Sequence, residues 1–480
     1  MKGPLRYNPI NPRYFTDDSG EAIYLTGMHI HNALADSILK EDDPQPGELI
    51  DFDAYLDDMC AHNQNFLRFW TSDGQIRELN GVKTYQYPFR YVDINLDRHM
   101  GENPVYDLDQ FNEAYFKQLR ERAEKARARG IYLGVMLFEG WSLDTRRGTS
   151  SDSYPWKGHP FHKGNNINGI DGNPEQVPES GLIFESDDVN KFLTTEHLHV
   201  QTLEIPEITA YQKKYVKKVV ETLNDLDNIL YEICNEGFRW TRYWQYEMVD
   251  YIHELEKNMP KQHPVWMSHL VPAQNEALYV SHAEAISPGV EDIMEPYNLN
   301  PPAADGRKVI IADTDHLGGF WGTPQWAWKS FMRGINPIFM DFWGERRNNG
   351  SMMKDDDPMS NLFGRPQYML PKNWGEDVRI ALGQTRMFAQ KMNMNRMLPY
   401  GELCGTGYCL ADPGNEYLIY APEAGQFKLK LHGAMGPFTV EWFDPATGET
   451  ISGMDLVGGG PVDITPPYRG EIVLHLKKKQ

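Results

Sequence analysis

Short apolar, β-branched runs alternate with amphipathic helical patterns along most of this 480-residue chain. The runs fall at residues 23–31, 65–72, 131–139, 229–236, 263–270, 309–315 and 337–343. This alternation is the signature of βα units. An eighth run is expected at 284–288, with 292–295 as the alternative. Few residues separate it from the run at 309, so the sixth unit should lack a full helix. Eight such units predict an α/β chain built as a closed (β/α)8 barrel, with every strand aimed at one catalytic face. Residues 13–22 read as a hairpin with Ser19-Gly20 at its tip, placed to plug the barrel floor.

The helical patterns support that count. Tyr211, Tyr215, Val216, Val219, Val220 and Leu223 share one helical face. Lys213, Lys214, Lys217 and Lys218 take the opposite one, as a solvated surface. Phe111, Tyr115 and Leu119 repeat at four-residue spacing, and Gly130 follows as the closing residue that glycine favours. Residues 376–393 predict the eighth helix. Beyond residue 395 the pattern changes to short strands separated by Gly- and Pro-rich turns. The chain therefore divides into a barrel over 1–394 and a small C-terminal antiparallel β-sandwich over 395–480.

A formal net charge of −21 argues against nucleic acid or an anionic membrane as partner. It suits a neutral ligand, and 12 Trp and 25 Tyr supply flat faces on which sugar rings stack. No apolar run is long enough to span a bilayer, and residues 1–7 lack an apolar leader core. A cytoplasmic protein, or a secreted one after removal of its signal, is expected. Cys60 on a helix and Cys234 on a strand read as inert packing. Cys404 and Cys409 are too isolated for zinc and leave a disulfide open.

The chemistry gathers at strand ends. The run at 228–237 delivers Asn235-Glu236 to the end of strand four. Retaining hydrolysis of a glycoside needs two carboxyl groups about 5 Å apart. The run at 308–316 supplies the partner, as Asp313 or Asp315. Side chains alternate along a strand, so both can face one way. His29, His31, Asn32, Trp70, Glu139, Trp141, His269, His316 and Asp341 also fall at strand ends. Each is expected to touch substrate or to orient a group that does. About sixty residues follow strand three, and loops that long are commonly functional. This one carries Asn165 and Asn166 and reads as a wall of the substrate site. It also carries His159 and His162; without His-Glu-x-x-His or a third clustered ligand, neither metal nor cofactor is expected.

The barrel as a whole resembles clan A of the glycoside hydrolases. In that clan the acid/base is a Glu preceded by Asn on strand four, and the nucleophile is a Glu on strand seven. Asn235-Glu236 matches the first of these. Asn65-Phe-Leu-Arg-Phe-Trp70 resembles strand two of the clan, which implies that Arg68 orients the nucleophile. Trp343 resembles the aromatic sugar platform of strand eight, and Asn235 would hold a sugar 2-hydroxyl. The departure lies on strand seven, where Asp313 stands in place of Glu, with Asp315 as a rival; an inverting outcome stays open. The C-terminal strands, with Glu441-Trp-Phe-Asp-Pro-Ala-Thr-Gly-Glu449, look like a module often labelled collagen-binding. That module follows barrels of the apiosidase-like group. The resemblance implies a hydrolase that removes a terminal sugar, with Glu236 as acid/base and Asp313 as nucleophile. The alternatives are an apiosidase-like or other furanosidase and a non-catalytic carbohydrate-binding barrel. Sugar identity and oligomeric state are not legible.

Overall fold

The computed structural model describes residues 1–30, 33–34, 51–71, 76–79, 82–85, 88–98, 101–140, 143, 155–175, 198–291, 299–317, 322–341, 343, 375–423, 425–431, 433–467 and 469–479. Eight parallel strands close into a barrel in chain order. They are β1 Gly27–His29, β2 Phe66–Trp70, β3 Tyr132–Glu139, β4 Ile229–Asn235, β5 Val265–Met267, β6 Ala285–Ile286, β7 Val309–Asp313 and β8 Asn336–Met340. The helices around it are α1 Phe52–Ala61, α2 Glu113–Ala128, α3 Pro206–Leu223, α4 Arg242–Glu256, α5 Asn275–Tyr279, α6 Pro324–Met332 and α7 Glu376–Lys391. No helix is described between β6 and β7, so among the described residues the sixth unit lacks one. None of the described helices is long and apolar enough to cross a membrane.

Period-two alternation along the strands layers the barrel interior. Phe66, Tyr132, Leu230, Trp266, Val309, Ile311 and Ile338 fill the lower layer. Leu5 and Phe15 of an N-terminal three-stranded antiparallel sheet close it from below, so the expected hairpin does plug the floor. Gly134 is required there: a Cβ would lie 2.9 Å from both the Phe66 and Trp266 rings. On β2, Phe66 is followed inward by Arg68 and then by Trp70, which packs with Met136 and Met340. A charged side chain therefore occupies the middle layer. Two antiparallel strand pairs follow β2, the first being Ile76–Leu79 with Val82–Tyr85. The second, Phe89–Arg98 with Gly101–Phe111, pairs through Tyr106 with Asn166 of the long loop. The alternation Val92, Ile94, Leu96 against Asp93, Asn95, Asp97 was a readable strand signal.

After α7 the chain builds a seven-stranded antiparallel sheet and a two-stranded one, Phe427–Lys430 with Pro461–Ile464. Alternation again decides the packing. Tyr417, Ile419, Leu474 and Leu476 face the small sheet. Leu418, Tyr420, Phe443 and Val473 face the barrel helices. Trp328 of α6 stacks on Tyr420 with ring centroids 5.8 Å apart, and Phe388 of α7 meets Phe443 edge-on at 5.3 Å. The large sheet is thus covered on both sides. The helix carrying Trp328 starts at Thr323, whose hydroxyl accepts the Trp326 amide at 3.1 Å. Thr323→Ala is expected to cost about 1 kcal/mol of stability, read from the urea midpoint at unchanged m-value.

Cys60 is exposed, not packed: α1 turns that position outward. Cys234, Cys404 and Cys409 are buried free thiols. The lysines of α3 pair with surface acids, Lys213 with Glu247 and Lys218 with Glu113, as a solvated face does.

Candidate active site

Arg68 is fully buried and organises the interior. Its Nε and Nη2 donate to the two carboxylate oxygens of Glu232 at 2.8 and 2.7 Å. Nη2 also donates to Asn235 Oδ1. Nη1 donates to Asp313 Oδ2 and to Asp315 Oδ2, each at 3.1 Å. The guanidinium carbon lies 5.0 Å from the Trp70 ring centre and 5.7 Å from that of Trp266. Five donors in a rigid fork suit this role, which a lysine would not fill. Burial alone would disfavour its charge, but the surrounding carboxylates outweigh that and hold it cationic.

Asp313 ends β7 and points inward by alternation. It is fully enclosed, and both of its oxygens are engaged. Oδ2 takes Arg68. Oδ1 lies 2.9 Å from His29 Nε2 and accepts the Asp315 amide at 2.9 Å. Trp70 Nε1 donates to His29 Nδ1 at 2.9 Å, so the His29 proton sits on Nε2 and is given to Asp313. Burial pushes the Asp313 carboxyl up, yet His29 and Arg68 prevail and hold it well below the usual carboxylate range.

Asp315 does not lie on the strand, as expected from sequence. It lies on the 3-10 turn Thr314–His316, so strand alternation does not set its direction. Its side chain keeps 11% exposure where that of Asp313 has none, and it takes a hydrogen bond from Arg68 on Oδ2. Burial, then the charges of Glu236 and Asp313, push its carboxyl well above the ordinary value. Glu236 is the largest of those charges, so its carboxyl is a near neighbour of Asp315.

Asn235 fixes the other side. Its Nδ2 donates to Glu139 Oε1 at 2.9 Å, so its Oδ1 is an acceptor. His316 Nε2 lies 3.0 Å from that Oδ1 and must carry the proton, leaving Nδ1 to accept from Ser287 Oγ at 2.9 Å. Burial, then Arg68, keep His316 neutral, its pKa well below that of a free histidine. Glu236 follows with φ +44, a left-handed conformation rare outside glycine. The strand breaks there, and the residue is half-buried with its Oε2 enclosed. Non-glycine residues held at positive φ concentrate at functional sites.

The structure gathers Arg68, Asn235, Glu236, Glu139, His29, Trp70, Asp313, Asp315 and His316 in one connected cluster at the strand ends. Other expected site residues lie elsewhere. Both oxygens of Asp341 are held by Arg379 of α7, at 2.8 and 3.0 Å. Trp343 falls beyond the end of β8 and is 5% exposed, packed on Tyr55 at 5.3 Å. Asn165 donates to the His159 carbonyl, and Asn166 donates to Pro160, His162 and Ile170 carbonyls, so both knit their own loop. His159 and His162 each accept a loop amide on Nδ1, and burial lowers the His159 pKa to about 3. His31, Asn32 and Trp141 lie outside the described residues.

Sequence reasoning missed Glu232, Ser268, which donates to Glu232, and Ser287. A glutamate amid Ile-Leu-Tyr-Glu-Ile-Cys was itself a signal, because a buried charge demands a partner. Asp313, Asp315 and His316 bring three ligand-type atoms within 4.8 Å of one another. Arg68 already bridges those two carboxylates and both His316 nitrogens are engaged, so the group is built around a guanidinium.

No protein-family model matches the chain, and no curated protein matches it. Solved structures do. A glycoside hydrolase family 5 protein from Bacteroides vulgatus is 12% identical, with a TM-score of 0.61 over 99% of this chain and 94% of that one. Another structure, described as a glycoside hydrolase, is 11% identical, with a TM-score of 0.57 over 99% and 97%. The shared fold thus extends across both the barrel and the C-terminal sheets.

Proposed function

We propose that this chain is a retaining glycoside hydrolase working with two carboxyl groups, Glu236 as acid/base and Asp315 as nucleophile. One observation carries the reading: Arg68 Nη1 holds two carboxylates, one ending β7 and one on the turn after it, beside the Asn235-Glu236 strand end. The fold shared with glycoside hydrolases supports it. Asp313, rather than attacking, positions: it is sealed, and both of its oxygens are committed. Asp315 is the aspartate of the pair that keeps some exposure.

In the first step an Asp315 oxygen bonds the anomeric carbon while Glu236 gives its proton to the departing glycosidic oxygen. The product is a glycosyl ester of Asp315. Water then enters, Glu236 takes its proton, and the Asp315–sugar bond breaks to release the sugar and restore both groups. Asp315 must lose its raised proton before it attacks, so turnover is expected to fall as pH drops through that elevated value.

The test is a panel of nitrophenyl glycosides and plant oligosaccharides, with the product anomer followed by proton NMR. Apiosides and arabinofuranosides belong in it, because the C-terminal module resembles that of the apiosidase-like group. Retention is expected. A 2-deoxy-2-fluoro glycoside of the accepted sugar should leave a covalent label on Asp315. A label on Asp313 would reverse the two roles, and binding without turnover across the panel would favour a non-catalytic barrel.

A further inference from the structure

Glu232 is a fully buried carboxylate that the two-step mechanism does not use. Along β4, Tyr231 and Ile233 pack with the outer core and Leu230 joins the lower layer, so alternation turns Glu232 into the barrel. Its oxygens take three donors. Oε2 accepts Arg68 Nε at 2.8 Å. Oε1 accepts Arg68 Nη2 at 2.7 Å and the Ser268 hydroxyl. A carboxyl that accepts three bonds and donates none is ionised. Arg68 therefore has two fully enclosed anions, Glu232 and Asp313, although one would balance its charge. A second buried anion is costly, and a barrel that needed only a filled middle layer would be better served by apolar side chains.

The division of the donors shows what the second anion does. Nε and Nη2 are committed to Glu232, and Nη2 also reaches Asn235 Oδ1. Nη1 alone faces Asp313 and Asp315, with one bond to each. Of these carboxylates, Glu232 acts most strongly on the guanidinium charge, Asp313 next and Asp315 least. Asp315 thus touches a cation whose charge is already taken up. Burial and the charges of Glu236 and Asp313 raise its carboxyl, and Arg68 does not offset them.

We propose, on the hydrolase reading with Asp315 as nucleophile, that Glu232 is a positioning residue. It aims the Arg68 fork and takes up its charge, so that Asp315 is steadied by the guanidinium without becoming its counterion. An opposite charge stabilises an anion and lowers its basicity, so a fully paired Asp315 would be a weaker nucleophile. The charged groups that act on Asp315 are Arg68 from β2, Glu139 from β3, Glu236 after β4, and Asp313 and His316 from its own stretch of chain. Glu232 acts through the first of these.

The experiment is the pH dependence of kcat/KM on a glycosyl fluoride of the accepted sugar, for wild type, Glu232→Gln and Glu232→Asp. Glutamine keeps the shape and removes the charge, so Arg68 turns an unbalanced charge on Asp315. The acid limb should then move to lower pH by about 1 unit or more. On the plateau kcat should fall while KM stays near the wild-type value. Aspartate keeps the charge and should bring the limb most of the way back. A limb at the wild-type position in Glu232→Gln, however low its activity, makes Glu232 a packing partner and overturns the proposal. If Glu232→Gln does not fold, Glu232→Asp decides. Its shorter carboxylate holds Nε and Nη2 less well and should still move the limb downward, and an unmoved limb overturns the proposal. If the wild type cleaves no glycoside, the hydrolase reading fails on its own account. Asp315 is then titrated directly by carbon NMR of aspartate-labelled protein, its signal assigned with Asp315→Asn. A titration unmoved by Glu232→Gln overturns the role of Glu232.

Discussion

Arg68→Met is expected to abolish turnover and to cost about 3–5 kcal/mol of stability, the scale for stripping one partner from a buried ion cluster. Methionine replaces the bulk but not the charge. Glu232 and Asp313 would be left anionic, fully buried and without their shared cation. Against a total stability on the order of 5–15 kcal/mol, such a loss is large. Urea titration at several pH values gives it a signature. In the wild type, Asp313 is depressed, so its contribution is fully present above the unfolded-state value of about 3.9 and fades only as pH falls through a still lower folded value. Without Arg68 the Asp313 carboxyl should titrate upward. The gap between variant and wild type should then narrow as the medium is acidified. A constant gap from neutral pH to about pH 4 would show that Arg68 acts by packing alone.

Glu236→Gln should lower kcat/KM by roughly 10²–10⁴-fold on substrates whose leaving group needs a proton, and far less on a glycosyl fluoride. Glutamine keeps the size and the half-buried strand-end position but has no proton to cycle. The pH profile on the fluoride supplies an independent reading. Burial comes first among the causes that raise Asp315, and Glu236 is the largest of the charges that do so. In the wild type the acid limb, where the nucleophile loses its proton, should therefore stand above the ordinary aspartate value of about 3.9. Removing the Glu236 charge should shift that limb to lower pH. A limb unmoved in Glu236→Gln would mean that Asp315 does not titrate against Glu236, and the proposed pair would fall.

The strands were readable because each is a run of apolar residues bounded by turn formers, and all eight runs correspond to barrel strands. Ala285–Ile286, only two residues long, was legible as position rather than as pattern. The acids at strand ends were legible for the same reason, since polarity at the end of an apolar run marks the catalytic face. What sequence withheld was division of labour. Asp313 and Asp315 are two residues apart and chemically identical on paper. A 3-10 turn between them seals one among His29, Arg68 and an amide and leaves the other a little exposure. The pairing of Asp341 was not legible because its partner, Arg379, comes from a helix beyond a long stretch of chain. The end of β8 was not legible either, since the strand stops three residues before Trp343, where the apolar pattern ends.

The seven-stranded sheet after α7 has Trp328, Phe331 and Phe388 of the barrel against one face and its own small sheet against the other. A sheet whose middle strands are covered on both faces is poor material for shuffling. Cutting near residue 395 and grafting either half elsewhere would bare aromatic surface on both pieces. The C-terminal segment therefore serves its barrel as a shared keel rather than a detachable tool.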